Sequence, residues 1–219
     1  MSSRAPATTT RDVAAEPRSV RKRRAILEAA TEVFLRNGYV GTSMDEIAAL
    51  AGVSKQTVYK HFADKERLFT EIVTSAVNKA GEPVFSAVPG LEDSRDLEKD
   101  LRDLARRQLA QVVQPRLMQL RRLVIGEAGR FPELGRTFHE RGAGRSVAEL
   151  ASAFERLAAR GLLRVEDPAA AATHFNWLIM SAPVNRAMLL GDEEIPTAAE
   201  LDRYADSGVR AFLAAYGQR

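Results

Sequence analysis

The stretch from Thr42 to Phe62 contains the side chains of this chain that are best suited to recognise another molecule. Ser54 can cap a short helix, and in the roughly two turns that follow it only Val58 is plainly apolar. A helix with so small a core face presents amide, hydroxyl and ammonium groups, which bond to base edges and phosphates in DNA. The chemistry indicated is therefore noncovalent recognition of nucleic acid.

The candidate contacts fall into two classes. The N-terminal part of a helix in the major groove reaches base edges, so we expect Lys55, Gln56 and Thr57 to contact bases or nearby phosphates. Other side chains are expected to bond phosphates, which positions the protein without reading sequence. These are Tyr59, Lys60, His61, Thr42, Ser43 and Lys65. The alternative for Tyr59 and His61 is packing against their own domain.

Apolar spacing and turn residues predict the helices that position this stretch. A helix beginning at Ser19 is expected to end at Asn37-Gly38, and a second begins at Thr42 or Ser43 and ends at Gly52. The third follows the cap at Ser54. Two short helices joined by a glycine-centred turn are typical of a helix-turn-helix reader of DNA.

Three domain assignments follow. Residues 1–18 are polar and aperiodic and are predicted to be a disordered basic arm, while residues 19–81 form the helix-turn-helix domain with a fourth, linking helix capped by Asp64. The segment 84–94 is predicted to be a loop at the domain boundary. Residues 95–219 are predicted to form a second helical domain.

Helical periodicity continues through that second domain, so the predicted fold class is all-α. The sequence Gly142-Ala143-Gly144 is interpreted as a helix break, and residues 162–165 are too short to make a sheet. Residues 168–190 are apolar nearly all round, which indicates a helix buried on more than one side. Thr197 is expected to cap the last helix, through residue 216.

The amino-acid composition limits the kinds of site and the classes of protein that remain possible. The chain has no cysteine, which excludes disulfides and thiolate metal sites. It contains no apolar run of about eighteen residues, so we expect a cytoplasmic protein without a membrane span. Residues 1–24 carry seven basic and two acidic side chains, a charge distribution that favours contact with phosphate beside the arm.

The residues from Ala25 to Phe69 resemble the TetR family of bacterial transcriptional regulators. The resemblance rests on AILEAATEVFLRNGYVGTSMDEIAALAGVSKQTVYKHFADKERLF, and the later run GEAGRFPELGRTFHERG is similar to the regulatory domain of the AefR-like branch. It implies an all-helical homodimer that has three helices for DNA binding and a larger ligand-binding and dimerisation domain. It also implies a palindromic operator and, usually, repression until a small molecule releases the DNA.

The dimer and the effector site can be assigned to parts of the second domain. Residues 168–190 and 197–216 are the candidate dimer faces, with Ala171, Ala172, Ala182 and Ala187 allowing close approach; the alternative is that these helices are monomer core. The effector is unknown, and no metal or cofactor is expected. Side chains that could line its pocket are Met118, Leu120, Arg121, Phe131, Phe138, Phe154, His174, Phe175, Asn176, Trp177 and Met180.

Other functions are less consistent with the residues present. An enzyme would need a nucleophile motif or metal ligands, but His61, His139 and His174 have no partner at ligand spacing. Membrane-surface binding by Arg21–Arg24 lacks the large apolar residues that it would need. A DNA-binding activator without an inducer remains an alternative.

Overall fold

The computed structural model describes residues 17–218. Within that range the chain forms α-helices and no β-strand, apart from one isolated bridge between Leu163 and Gly217, which confirms the predicted all-α class. The predicted arm, residues 1–18, lies outside the described residues except for its last two, and Arg18 already belongs to the first helix. None of the described helices combines the length and the apolar character needed to cross a membrane.

Ten α-helices are described. In chain order they are α1 Arg18–Gly41, α2 Met44–Leu50, α3 Lys55–His61, α4 Lys65–Phe85, α5 Leu97–Val112, α6 Pro115–Glu127, α7 Pro132–His139, α8 Arg145–Ala159, α9 Pro168–Leu190 and α10 Ala198–Tyr216. Short 3-10 turns occur at Val88–Asp93 and Asp192–Glu194, and a π-helical turn at Glu140–Gly144 joins α7 to α8.

Most of the predicted helix starts and stops are confirmed. The side chains of Ser43 and Ser54 accept the backbone N–H groups of Glu46 and Thr57, and Thr197 forms a reciprocal capping box with Glu200. The regular part of α1 ends at Gly38, where φ is 71° and ψ is 176°. Helices that begin and end through local side-chain chemistry are the ones that a sequence predicts best.

Two predicted interruptions of the helical structure are wrong. Helix α4 continues to Phe85 instead of ending near Gly81, and within residues 84–94 a 3-10 turn buries Val88 and Leu91 in the core, so this segment is not an open loop. The Gly142-x-Gly144 pair does not break the chain of helices but forms the π-helical turn. A Cβ on Gly144 would lie 3.2 Å from the carbonyl oxygen of His139, so the tight backbone there favours glycine.

The helices enclose two hydrophobic cores. The first, which we call the head core, lies among α1 to α4 around the rings of Phe34, Tyr39 and Phe69. The second lies among α5, α8, α9 and α10 around Phe154, Phe175 and Phe212, whose ring centroids are 5.0 to 5.5 Å apart. Aromatic rings therefore fill the centre of both halves.

The head core is not built from the N-terminal helices alone. Leu120 and Val124 of α6 and Leu134 of α7 are buried within it, and Phe131 packs against Tyr39 with 4.6 Å between ring centroids. The α6–α7 corner thus completes the core of the N-terminal helices. The predicted division into residues 19–81 and 95–219 stays a prediction, and the first of these segments does not close its own core.

Candidate nucleic-acid interface and internal cavity

Helix α3 is held on the head by its first residues and by one apolar side chain. Val58 is the buried residue of α3, and the following Phe62 is buried in the head core. The hydroxyls of Ser54 and Thr57 share a hydrogen bond of 2.8 Å, which fixes the start of the helix. The rest of the surface of α3 is free to meet a partner, as the small apolar face of its sequence predicts.

Four of the six predicted contact residues of α3 lie on that exposed surface, while Thr57 is half-buried. Lys55, Gln56 and Lys60 are exposed, and the side chain of Tyr59 is 44% exposed. His61 is half-buried, with its ring centroid 6.4 Å from that of Phe62. Tyr59 is therefore not packed inside the domain, and its contact with DNA stays a prediction.

Lys55 is paired with an acid of the neighbouring helix. Its Nζ lies 2.7 Å from one carboxylate oxygen of Asp45 on α2 and donates to the other over 3.0 Å, and this hydrogen bond raises the pKa of Lys55 above its ordinary value. Both side chains are more than half exposed. Such a surface pair contributes little to stability, so a phosphate can replace the carboxylate at little cost.

Changing Asp45 to Asn is expected to strengthen binding to every duplex. The change frees the Lys55 ammonium and removes a negative charge from the face that approaches DNA, so we expect affinity to rise about two- to fivefold at low salt. Fluorescence anisotropy over a salt series measures this. Asp103→Asn is the matched control, because it opens the Lys99–Asp103 pair of 2.8 Å on α5; an equal gain in that variant would contradict the prediction.

The structure argues against two of the predicted phosphate contacts. Thr42 is 4% exposed and its hydroxyl donates to the carbonyl of Gly38 over 2.7 Å, so it has no proton for a phosphate. Lys65 Nζ donates to the carbonyls of Tyr39 (2.9 Å), Thr42 (2.9 Å) and Val40 (3.5 Å). Two normal hydrogen bonds and one long one direct the ammonium toward the end of α1. Lys65 therefore joins the start of α4 to the end of α1, and Ser43 remains exposed as a phosphate candidate.

Some basic residues near the interface are already engaged. The guanidinium of Arg23 pairs with Glu71 and lies 5.1 Å from the ring centroid of Phe62. Arg36 donates to Glu46 over 2.6 Å. These side chains join α1 to α4 and α2, so they orient the head, and the exposed residues of α3 are left as the main candidates for binding DNA.

A separate feature is an internal cavity of about 250 Å³ among α4, α5, α6, α7 and α9. This volume lies just below the roughly 300 to 1,000 Å³ of typical small-molecule sites. Its lining is mainly apolar. Six of the predicted pocket residues line it, namely Met118, Arg121, Phe138, Asn176, Trp177 and Met180.

The other predicted pocket residues lie elsewhere. Leu120 and Phe131 face the head core. One side of α6 and of the turn after it faces the head core, and the opposite side of α6 faces the cavity. Phe154 and Phe175 belong to the ring cluster of the second core. His174 is exposed, and its Nδ1 shares a hydrogen bond of 2.6 Å with the hydroxyl of Tyr216. These five residues do not line this cavity. For the four apolar ones the reason is that such side chains at helical spacing fill cores as readily as pockets, and whether any of the five contacts an effector stays a prediction.

Polar lining residues were missed, and one had a signal in the sequence. Gln108 lies within the apolar stripe that contains Leu101, Leu104 and Leu109, and a polar residue at such a position faces the interior. Its side chain is 2% exposed and lines the cavity. Ser146 also lines it, as do Gly142 and Ala143 of the π-helical turn, and no sequence signal was available for these residues.

The cavity contains two polar groups that lack a full set of partners. Gln108 Nε2 donates to Asn176 Oδ1 over 3.1 Å, while Gln108 Oε1 is buried without any hydrogen-bond partner among the described residues. Arg121 is half-buried, and its guanidinium carbon lies 6.0 Å from the centroid of the Phe138 ring. Burial lowers the pKa of Arg121, and none of the lining residues is acidic.

Helix α9 carries one face that the rest of the described chain leaves uncovered. Leu178, Ser181, Ala182 and Leu189 on α9 are exposed. In contrast Ala171, Ala172 and Ala187 are buried in the monomer, so their predicted role in close approach at a dimer face is wrong. Small residues do bring α9 and α10 together, since a Cβ on Gly208 would lie 3.0 Å from the carbonyl oxygen of Leu178.

Among residues 17–218 no group of three or more histidine, cysteine, aspartate or glutamate side chains is arranged to hold a metal ion. The polar groups described above are instead suited to hydrogen bonds and ion pairs.

Comparison with known proteins gives matches over both halves of the chain. Residues 26–72 match the family profile described as bacterial regulatory proteins, tetR family, and residues 99–218 match that of the AefR-like transcriptional repressor C-terminal domain. The HTH-type transcriptional regulator YhgD of Bacillus subtilis is 43% identical over 75 residues, which cover 32% of this chain and 39% of YhgD. The matched stretch is thus about two fifths of that relative.

Solved structures match over nearly the whole length. A TetR-family transcriptional regulator from Mesorhizobium loti is 46% identical with a TM-score of 0.85, and the match covers 93% of this chain and 100% of that one. The flavonoid-responsive regulator FrrA is 33% identical with a TM-score of 0.73, over 91% and 99% of the two chains.

Proposed function

This chain belongs to the TetR family of bacterial transcriptional regulators, and we propose that it is a repressor that binds a palindromic operator as a homodimer and leaves it when a small molecule fills the internal cavity. Regulation of transcription takes place on the chromosome, so the proposed location is the bacterial cytoplasm. An activator without an inducer would have no use for the cavity.

The observation that carries this proposal is the position of α6 between the cavity and the head. Met118 and Arg121 face the cavity, while Leu120 faces the head core, and Val124 borders both. A molecule that displaces α6 must therefore disturb the packing beneath α1 and α4, because a close-packed core does not deform continuously. Helix α4 alone was expected to make this connection, and α6 is a second route.

Helix α6 is also tied to the far end of α9. Arg122 donates to the carbonyl of Ala187 over 2.7 Å and to Asp192 over 2.5 Å, and Gln119 donates to the same carboxylate. Burial would raise the pKa of Asp192, but these hydrogen bonds outweigh it and leave the pKa below its ordinary value. A shift of α6 is thereby linked to α9, which carries the proposed dimer face.

Release of the operator follows from the thermodynamic linkage between ligand binding and DNA binding. A ligand that binds one arrangement of α6 more tightly than the other shifts the population toward it by the ratio of the two affinities. If that arrangement holds the two heads at a spacing that does not match adjacent major grooves, about 34 Å apart, operator affinity falls by at most that factor. FrrA responds to flavonoids by its name, which supports an aromatic small molecule as the effector here.

Two substitutions on α3 are expected to have different effects on DNA. Lys60→Ala removes an exposed phosphate contact, so it should weaken binding to all sequences alike and reduce the salt slope by about 0.9. Gln56→Ala removes a candidate partner of adenine, so it should change the preferred operator at a cost of about 1–3 kcal/mol for the original site. Equal effects of both variants on selected and random duplexes would show that the roles are not divided.

Selection of bound duplexes from a random pool tests the proposed function most directly. A palindrome with half-sites about one helical turn apart is the expected result. Recovery of single, asymmetric half-sites would exclude the dimeric mode of binding. Failure to enrich any duplex would exclude operator binding.

A further inference from the structure

The cavity has a chemical character that narrows the class of molecule it can hold. We propose that its ligand is a compact, mostly apolar organic acid, whose carboxylate pairs with Arg121 and whose second polar group, a hydroxyl or amine, bonds to the side-chain amide of Gln108. The inference rests on the proposed function in treating this cavity as the effector site. It adds the charge and the bonding pattern of the effector.

The guanidinium of Arg121 lacks an anionic partner in the described chain. A guanidinium has five N–H donors and is matched by a carboxylate through two parallel hydrogen bonds. Arg121 has no carboxylate partner in the described chain, and its contact with the Phe138 ring satisfies none of these donors. Removing a charge from water without a partner is unfavourable. A ligand anion supplies the missing partner inside the lining.

The side-chain amide of Gln108 indicates a second, uncharged polar group on the ligand. Gln108 is almost completely buried, and within the described part of the chain only one end of its amide is bonded, by Asn176. Exchanging the nitrogen and oxygen positions of both amides would still leave one polar atom of Gln108 unpaired, so the conclusion does not depend on how the amides are oriented. A buried unpaired amide group is unfavourable, and a ligand hydroxyl or amine supplies the missing hydrogen-bond partner.

The remaining lining sets the size and polarity of the rest of the ligand. Val112, Leu117, Val124 and Val184 supply aliphatic walls, and Met118 and Met180 supply flexible thioethers. Trp177 and Phe138 offer ring faces or edges. A volume of about 250 Å³ admits one aromatic ring with a short side chain more readily than a fused three-ring system.

A single tryptophan side chain makes binding at this site measurable by fluorescence. The chain has one tryptophan, Trp177, and it lines the cavity. Binding can therefore be followed by the intrinsic fluorescence of the full-length protein, in the absence of DNA. The ligands are 3-(4-hydroxyphenyl)propionate, 3-phenylpropionate and 3-(4-hydroxyphenyl)propionamide, which separate the contribution of the carboxylate from that of the hydroxyl.

The expected result is that the hydroxylated acid binds best. Its amide should bind about ten- to a hundredfold more weakly, as expected for the loss of a charge-assisted pair, and the acid without the hydroxyl about three- to tenfold more weakly. In Arg121→Met the preference for acid over amide should disappear, and Arg121→Lys should keep part of it. In Gln108→Leu the preference for the hydroxyl should disappear while that for the acid remains.

Arg116→Met is the matched control, because it removes the same kind of side chain from an exposed position of α6 that does not line the cavity. It should leave all three affinities unchanged. Thermal unfolding checks the variants, and Arg121→Met is expected to fold normally because Arg121 has no ionic partner to lose among residues 17–218. Tighter binding of the amide than of the acid, an acid preference that survives in Arg121→Met, or no response to either acid at millimolar concentration would overturn the proposal.

The same ligands added to the protein on its selected duplex separate this proposal from the proposed function. An acid that binds through Arg121 but leaves the duplex bound supports the ligand class and contradicts release. Release of the duplex by the amide, with no binding of the acids, supports release and contradicts the ligand class.

Discussion

Replacing Lys65 with methionine is expected to weaken operator binding more than tenfold by disordering the head, and not by removing a phosphate contact. The ammonium joins the carbonyls of Tyr39 and Thr42, each over 2.9 Å, to the first turn of α4. Hydrogen bonds to a charged group contribute about 1.5–3 kcal/mol each, and the carbonyls would lose their partner. The start of α2, and with it the orientation of α3, depends on this connection.

Three measurements identify the cause of that loss. We expect the midpoint of thermal unfolding to fall by about 5–10 °C, hydrogen exchange to speed up around residues 39–44, and the salt slope of DNA binding to stay unchanged. Lys60→Met is the matched control, since it removes the same charge from an exposed position on α3 and should leave the unfolding midpoint unchanged. A Lys65→Met protein of normal stability whose salt slope falls by about 0.9 would show that Lys65 is a phosphate contact after all.

Replacing Leu178 with glutamate is expected to convert the proposed dimer into monomers. Leu178 is 38% exposed on the uncovered face of α9, while its backbone is fixed against Gly208 of α10. Two carboxylates facing each other across a symmetric, apolar contact would lose their hydration and repel each other. Because one head buries too little surface for a tight specific site, affinity for the selected palindrome should fall about a hundredfold or more.

Sedimentation velocity at micromolar concentration and anisotropy with the selected duplex measure these two effects. Binding to random DNA should change much less, because it depends on the charge of each head. Ser152→Glu on the exposed side of α8 adds the same charge away from α9 and α10 and should leave the dimer intact. A Leu178→Glu protein that still sediments as a dimer would place the interface elsewhere.

The sequence predicted the DNA-reading half well because its signals are local. Ser43, Ser54 and Gly38 act on the backbone within three or four residues, and the small apolar face of α3 is visible from Val58 alone. Local chemistry of this kind does not depend on what packs against the helix. The helix starts and stops of the head could therefore be assigned before its tertiary structure was known.

Predictions that depended on tertiary contacts were less successful. Whether Phe138 or Phe154 lines the cavity depends on the rotation of α7 and α8 against α9, and both residues fit the same helical pattern. Lys65 looked like a phosphate contact because its acceptors lie more than twenty residues earlier in the chain. Gln108 could have been found, since a buried amide within an apolar stripe requires a partner.

The shared head core limits how this protein can be recombined with its relatives. Chimeric regulators and biosensors are often imagined as a reader module joined to an interchangeable sensor module, with the junction placed after the fourth helix. Here Leu120, Val124 and Leu134 would then come from the foreign sensor and meet Phe69 and Ile72 of the original reader. A functional transplant must therefore carry the α6–α7 corner with the reader, or redesign that contact as a protein interface.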